Sequence, residues 1–518
     1  MTRIEAGRWW ALAGLMLAVL TVGLDGTVLS VALPTLAIAL HATESDLQWF
    51  SSAYLLVLAA AMLPAGLLGD RYGRKKVIVG ALTVFGAGSM ACAYAPSPGA
   101  FIAARAALGL AGAAIIVMAL STITVLFSED ERPRAVGVWA SANFLALPIG
   151  PLLGGWLLTH YWWGWVFLIN VPVALLGLVA ALVLVPESRA ARRPGLDAAG
   201  VLTSTAGLVG VTYGLIEAGR NGWGSAGALT PIVVGLLLLI GFLLWESRLS
   251  RRPGGQPVVD PALFGSAPFT WGVLLASTVG LAMVGVIFTM PQYFQGVLGT
   301  DAMGSGLRLL PLIAGLVVGA LPADRVARLV GAKACVAVGF AMLAAALLAG
   351  ALTTRVESSD WFIAGWLTLA GAGMGLTLAT ASSSALSQLS PQQSGVGAAV
   401  MQALQKVGAP FGAAIVGSVL SAGYQGSVNV TGLPSAAAGA VRASVFSGLA
   451  VAHQVHSAPL LESVRAAFVH GLDVALIASA GIAAVGMVLA LAFLPGTAST
   501  RAEGFEPVEK EAAFAVRK

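Results

Sequence analysis

The stretch GLLGDRYGRKK, at residues 66–76, joins two long apolar segments. Those segments, residues 47–69 and 76–96, each have the roughly 20 residues that a helix needs to cross a bilayer. Between them the chain becomes abruptly charged, and Gly73 permits a tight turn there. Four cations crowd this turn, at Arg71, Arg74, Lys75 and Lys76. Because cytoplasmic loops of membrane proteins are rich in such cations, the stretch predicts a cytoplasmic turn between two antiparallel membrane helices.

The rest of the chain has the same character. Of its 518 residues 58% are hydrophobic and only 10% are charged, with a mean hydropathy of +0.89. Soluble proteins carry about 25% charged residues, so lipid rather than water must surround most of this surface. Fourteen segments are long enough to span: residues 9–33, 47–69, 76–96, 98–127, 134–158, 164–185, 197–217, 228–247, 268–296, 304–322, 332–354, 361–388, 394–422 and 470–495.

The distribution of cations predicts the topology. With the N-terminus inside, 21 lysines and arginines fall in cytoplasmic segments and five in or beside outer ones. This asymmetry is the positive-inside pattern, so we expect both termini to be cytoplasmic. The expected location is the inner (plasma) membrane of a bacterium, with lipid as the surrounding medium and no nucleic-acid partner.

Two short patterns recur at nearly the same separation. Residues 70–74 read DRYGR and residues 324–328 read DRVAR, 254 positions apart. A glycine–proline pattern begins at Gly150 and again at Gly408, 258 positions apart. Such repeats are common in transporters, whose substrate sites lie between the repeated halves. The predicted organisation is a six-helix bundle at 1–190, an inserted helix pair with a linker at 191–260, a second six-helix bundle at 261–500 with an external element at 423–469, and a cytoplasmic tail at 501–518.

These motifs resemble those of a known family. GLLGDRYGRKK resembles the loop signature of the major facilitator superfamily, and FIAARAALGLAGAA at 101–114 resembles its fourth-helix signature. GPLLGG at 150–155, LDGTVLSVALP at 24–34, LDAAG at 196–200 and QYFQGVLG at 292–299 are similar to signatures of its fourteen-span drug:proton antiporters. The resemblance implies an all-α membrane protein with the major facilitator fold: two six-helix bundles with pseudo-two-fold symmetry plus two inserted helices.

The resemblance also implies a conformational latch at the charged turn. A carboxylate and several cations can pair with neighbouring helix ends in one conformation and release them in the other. The alternative is that the cations merely enforce topology, which leaves the aspartate and the glycines unexplained. The latch residues are Gly66, Asp70, Arg71, Gly73 and Arg74, with Asp324 and Arg325 in the repeat.

The fifth segment has a face almost without side chains, formed by Gly150, Pro151, Gly154 and Gly155. Such a helix packs closely against its neighbours and bends at the proline. The resemblance implies that an antiporter uses this bend to prevent leak, whereas simple tight packing is the alternative.

Three charges lie deep within the spans, at Asp25, Arg105 and Lys406. At 1.5 Å per residue, Asp25 lies roughly 24 Å and Arg105 roughly 20 Å above the inner side. We therefore expect the two to meet. Arginine stays protonated, so only the carboxylate can carry a proton. The pair predicts the proton-coupling site, and the alternative is a static structural ion pair.

Lys406, flanked by Gln402 and Gln405, lies roughly 18 Å from the inner end of its span. These residues are candidates to line the substrate cavity. The alternative for Lys406 is pairing, or extension of its side chain toward the membrane surface.

The predicted function is proton-coupled export of amphipathic, often cationic small molecules by alternating access, by a chain that works as a monomer. The sequence has no G-x-x-x-x-G-K-[ST] motif, so we expect the proton gradient to be the energy source, without a cofactor. It also has no H-E-x-x-H or G-x-S-x-G motif, so no catalytic or metal site is predicted and an enzyme is disfavoured. The alternatives are export of a dedicated natural metabolite or antibiotic, or inward nutrient symport.

Overall fold

The computed structural model describes residues 3–128, 131–189, 197–252, 257, 259, 261–387 and 391–495, and these residues form helices without a strand. Within them, 13 helices are long and apolar enough to cross a membrane. They confirm 13 of the 14 predicted spans. The remaining one, at 134–158, lies in the helix Arg132–His160, of which Leu145–His160 is a shorter apolar stretch. The predicted tail at 501–518 lies outside the described residues.

The first half of the chain begins with long helices joined by short turns. Thr43 and Asp46 form a capping box that starts the second helix, and Ser97 caps the fourth. The sixth predicted span is broken at Ile169, because Pro172 has no N–H to donate to the carbonyl of Leu168. The helices are α1 Arg3–Ala39, α2 Glu44–Tyr72, α3 Arg74–Ala93, α4 Pro98–Leu126, α5 Arg132–His160, α6 Trp165–Leu168 and α7 Asn170–Leu184.

The second half has a similar sequence of helices after an intervening pair. The pair is α8 Ala198–Asn221 and α9 Ala226–Ser250, followed by a 3₁₀ turn at Pro261–Gly265. A π turn at Tyr293–Val297 extends the next helix. The remaining helices are α10 Ala267–Gln292, α11 Ala302–Ala320, α12 Ala323–Val330, α13 Ala332–Thr353, α14 Asp360–Ser387, α15 Pro391–Ser427, α16 Ser435–Ala443, α17 Val445–Gln454 and α18 Ala458–Phe493.

Equivalent helices make equivalent contacts in the two halves. In the first half α1 packs against α5, α2 against α4, and α3 against α7. In the second half α10 packs against α15, α11 against α14, and α13 against α18. Helices α8 and α9 pack against each other, and α8 also lies against α2 and α15.

The helix bundle has two ends, which we name by the turns that they carry. The basic end carries the turn at Gly73, and the opposite end carries the turns before α2 and α4. The segment predicted as an external element at 423–469 lies at the opposite end. It consists of the last turn of α15, the short helices α16 and α17, and the first turns of α18. Tyr424 holds α15 to this segment, because its hydroxyl donates to the Val441 carbonyl at 2.7 Å. Helix α18 begins at Ala458, 12 residues before the predicted start of its span at 470, because its first turns belong to this segment.

Candidate functional site: a buried ion pair and a seam between the halves

Asp25 on α1 and Arg105 on α4 meet inside the first half. Nη1 of Arg105 lies 2.5 Å from Oδ2 of Asp25, and their side chains are 1% and 0% exposed respectively. The structure therefore brings together the two charges that were predicted from depth to meet. Inside a protein such a pair is stable only when hydrogen bonds satisfy its remaining polar atoms.

Residues that the sequence analysis did not select complete this pair. Asn170, the first residue of α7, donates from Nδ2 to Oδ1 of Asp25 at 3.1 Å. Nε of Arg105 donates to the Phe50 carbonyl at 3.2 Å, and its guanidinium lies 4.3 Å from the centre of the Tyr54 ring. The signal for Asn170 was present, since an amide inside the apolar run VFLINVPVALL requires a polar partner.

The halves meet along a polar stripe on α2, near the opposite end. Glu44, Gln48 and Ser52 are spaced four residues apart, so they share one face of the helix. All three are buried, and each forms a hydrogen bond of 3.3–3.4 Å with the second half. Their partners, in the same order, are Gln292, Ser418 and Pro410. We call this contact the α2 seam.

A second seam joins α5 to α11 at the same end. A Cβ atom on Gly155 would lie 2.7 Å from the carbonyl oxygen of Ala302, and one on Gly306 would lie 2.5 Å from that of Pro151. These glycines let the two backbones touch. The fifth-helix motif is therefore divided between two roles, because Gly150 and Gly154 pack instead against α1, at Thr27 and Val28.

Thr27 was not predicted as a site residue, although it lies in the first-helix motif LDGTVLSVALP. Its hydroxyl lies 3.0 Å from the Ala146 carbonyl and so links α1 to α5. It also lines a small apolar cavity between the halves, together with Pro151 from the first half and Met283 and Leu312 from the second. This cavity lies next to the α5–α11 seam. One of its sides is formed by α1, the helix that carries Asp25.

The candidate cavity residues on α15 are half-buried. Nε2 of Gln405 donates to Ser382 on α14 at 3.0 Å. In the part of the chain that the structure describes, Gln402, Gln405 and Lys406 do not line the apolar cavity.

At the basic end, the charged turn connects four segments of the first half. Both Nε and Nη2 of Arg74 donate to Oδ1 of Asp70, at 3.1 and 2.8 Å, and Nη1 donates to the Ser121 carbonyl of α4 at 3.2 Å. Gly73 has φ +116°, a conformation that side chains rarely adopt. Glu187, after α7, accepts from the backbone N–H of Lys75 at 3.2 Å. Glu187 was not predicted.

Other residues predicted in the latch have different surroundings. Gly66 faces Val117 of α4 at a close distance, whereas the Arg71 guanidinium lies 5.7 Å from the centre of its neighbouring tyrosine ring. Asp324 and Arg325 are exposed on α12. Asp324 lines an open cavity of about 710 Å³ with Arg328 and residues of α14.

The comparisons with known proteins agree with this architecture. A family model described as Major Facilitator Superfamily matches residues 15–413. The chain belongs to the major facilitator superfamily. It is therefore a multi-pass membrane protein of a transporter family.

Curated relatives of this major facilitator chain are export and resistance proteins. It is 33% identical to the multidrug efflux pump LfrA of Mycolicibacterium smegmatis, covering 96% of this chain and 98% of that protein. It is 31% identical to the tetracenomycin C resistance and export protein of Streptomyces glaucescens (93% and 91%) and to the methyl viologen resistance protein SmvA of Salmonella typhimurium (94% and 98%).

Solved structures share the fold at lower identity. A bacterial homologue of the human lysosomal transporter Spinster, in an inward-facing and unoccupied conformation, aligns with a TM-score of 0.67 at 17% identity, covering 95% of this chain and 98% of that one. A D-xylose–proton symporter aligns with a TM-score of 0.59 at 13% identity, covering 94% and 98%.

Proposed function

We propose that this transporter exports amphipathic, often cationic small molecules in exchange for protons, with the proton gradient as its energy source and no cofactor. The observation that carries the proposal is the buried pair of Asp25 and Arg105 in a chain whose relatives are export proteins. A buried ionisable pair within membrane-spanning helices is costly and is typical of proton pathways.

The test is a dye and drug panel in cells that lack their own efflux pumps. Expression of the chain should lower the accumulation of several unrelated cationic dyes, and an uncoupler should abolish this effect. Export that persists after uncoupling would contradict the proton-driven mechanism. A chain that lowers accumulation of one compound alone would favour a dedicated exporter, as the tetracenomycin C relative suggests.

The apolar cavity is too small to hold a substrate in this conformation, but its lining suits the apolar part of an amphipathic molecule. It lies where the two halves meet, and its lining comes from both. Methionine and leucine side chains accept varied apolar shapes, since methionine in particular adapts to irregular surfaces. Lys406 on α15 would disfavour substrates that carry two positive charges if it faced the cavity in another conformation.

One chain supplies both halves, so we expect a monomer to be active, and photobleaching of single fluorescent transporters in liposomes would show one step per active particle.

We propose that the basic end faces the cytoplasm, together with both termini. The cation asymmetry supports this orientation. A reporter fused after Lys518 should then report a cytoplasmic location, and one inserted near Ser435, at the start of α16, should report an external one. If both report the same side, the number of spans differs from 14 by an odd number.

With this orientation both seams, the hydrogen-bonded α2 seam and the close α5–α11 contact, lie at the outer ends of the helices, so the outer side is closed. We propose that the charged turn is the latch that the transport cycle releases at the inner side. Asp70 positions Arg74, which holds the end of α2 against α4.

Asp70→Asn should leave the protein folded but slow transport by about tenfold. The pair is partly exposed, and such pairs contribute only about 0–1 kcal/mol to stability, whereas a latch shifts the populations of two states. Initial rates of dye efflux in cells, normalised to the amount of membrane-inserted protein, give the measurement. Asp324→Asn, at the exposed repeat position on α12, is the matched control and should have the smaller effect. If Asp70→Asn exports dye at the wild-type rate, the charged turn serves only to orient the helices in the membrane.

A further inference from the structure

A second carboxyl group is buried in the α2 seam. Glu44 is the first residue of α2 and only 4% exposed. It does not take part in capping, because Thr43 and Asp46 already form the capping box. Its position is instead at the outer edge of the contact between the two halves.

Glu44 lies in the first turn of α2, where the helix dipole favours a negative charge, but its other surroundings offer little that would stabilise one. Its side chain accepts a hydrogen bond at Oε1 from Nε2 of Gln292, at 3.3 Å, and within the described residues Glu44 forms no ion pair. Gln292 is itself completely buried, and its Oε1 has no hydrogen-bond partner among the described residues. The pair formed by Glu44 and Gln292 therefore contains a carboxyl group and an amide oxygen that accepts no hydrogen bond among the described residues.

Among the residues that the structure describes, no cation on the surrounding elements forms an ion pair with this carboxyl. The α15 helix presents the phenol of Tyr424, whose hydroxyl already donates to the Val441 carbonyl. Asp46 is engaged with Thr43. Other cations on neighbouring elements are the exposed His41 before α2 and Arg220 at the end of α8, Lys406 nearer the basic end of α15, and Arg105 on α4, which pairs with Asp25. Glu217 on α8 accepts from Asn221, and Tyr293 after α10 donates to the Arg355 carbonyl.

We propose that Glu44 is a second proton-binding site, and that its protonation closes the outer side of the transporter. Burying a carboxylate without a countercharge costs far more free energy than burying the neutral acid. A protonated Glu44 also has an O–H that could serve the unused acceptor of Gln292. When the seam opens, water reaches Glu44 and stabilises its charged form, so deprotonation opposes closure.

This inference rests on the proposed function, because it makes closure of the outer side depend on protons from the outside. The proton on Glu44 returns to the outside when the seam reopens, so Glu44 gates the cycle and Asp25 carries the transported proton. A proton taken from the outside by Glu44 would favour closure of the outer side and thus deliver the transporter to its inward-open state. Asp25 differs in kind, since it lies within the first half and has a cationic partner. The two carboxyl groups can therefore be tested separately.

The test measures the outer seam in the purified full-length chain, in lipid nanodiscs and without substrate. Spin labels at His160→Cys and Ser359→Cys, both exposed at the opposite end and on different halves, report the distance across it. The two native cysteines are buried, and the chain without added cysteines reports the background. From acidic to alkaline pH, the ratio of open to closed populations should rise by at least about fivefold in the wild type.

Three variants locate the effect. Glu44→Gln, which mimics the protonated acid, should stay closed at every pH, whereas Glu44→Asp should restore a pH response. Asp25→Asn, which removes the proposed coupling proton, should keep the part of the pH response that Glu44 contributes. The proposal is overturned if the wild-type distance ignores pH, if Glu44→Gln responds as the wild type, or if only Asp25→Asn loses the response.

The same preparations separate this proposal from the proposed function. A protein that pumps dye in proteoliposomes but shows no pH-dependent closure contradicts the role of Glu44 alone. A protein with closure that depends on Glu44 but without proton-driven pumping contradicts the proposed function alone.

Discussion

Asp25→Asn is expected to abolish proton-driven accumulation of substrate while substrate binding survives. Asparagine has nearly the same shape and keeps one of the two oxygens that accept from Arg105 and Asn170, but it cannot release or bind a proton at neutral pH. For exchange of one proton with an uncharged substrate, each 100 mV supplies about 2.3 kcal/mol, which corresponds to a concentration ratio of about 50-fold. The variant should lose this ratio entirely.

The measurement uses proteoliposomes with an imposed pH gradient. Dye accumulation, substrate-induced proton release and equilibrium binding of dye are followed in the same preparation. Asp360→Asn, which removes a carboxylate from the exposed pair with Arg308, is the matched control and should pump normally.

The alternative of a static ion pair predicts a different outcome. Removing one partner of a buried pair typically costs about 3–5 kcal/mol of stability, so a purely structural Asp25 would give a protein that unfolds at lower temperature and inserts poorly. Thermal unfolding of the purified variant distinguishes loss of fold from loss of coupling. Sustained dye pumping by Asp25→Asn against its gradient would show that another group couples protons to transport.

Gly155→Leu is expected to hold the outer side open. Its side chain would enter the α5–α11 seam, where backbone atoms of Ala302 and Met303 lie 2.7 Å from the position of a Cβ atom on residue 155. Backbone atoms cannot move aside as easily as the end of a flexible side chain. Overpacking of this kind costs about 1–3 kcal/mol. Because only the closed state bears this cost, the balance between open and closed states should shift by about 5- to 150-fold.

Transport and the distance between labels at His160→Cys and Ser359→Cys report this shift together. Gly241→Leu, on α9, is the matched control and should change neither, because its Cβ position has no described atom within 4 Å beyond the adjacent backbone of its own helix. Gly150→Leu should instead destabilise the fold, because its side chain would meet Thr27 inside the first half. If the Gly155→Leu protein transports at the wild-type rate and keeps the seam closed, α5 takes no part in gating.

Much of the fold was predictable because its determinants are local. Length and hydropathy define a membrane helix without reference to its neighbours, and the cations of the charged turn stand beside the helix ends that they orient. The meeting of Asp25 and Arg105 was also predictable, since a helix rises 1.5 Å per residue and depth along the membrane follows from counting. Charges at equal depth in one bundle have few other partners available.

The direction in which each helix faces was decided only by the tertiary structure. Successive residues on a helix point about 100° apart, so two of the four glycine-motif positions on α5 face α1 and two form the seam. Glu44 reads as an ordinary surface residue at the start of a helix, yet the second half of the chain buries it against Gln292, 248 positions away. By itself the sequence determined which segments cross the membrane, in what order, and at what depth their charges lie. Which of these side chains meet, and which are enclosed where the halves close, depends on how the helices rotate against one another, because that rotation is set by packing across the whole molecule.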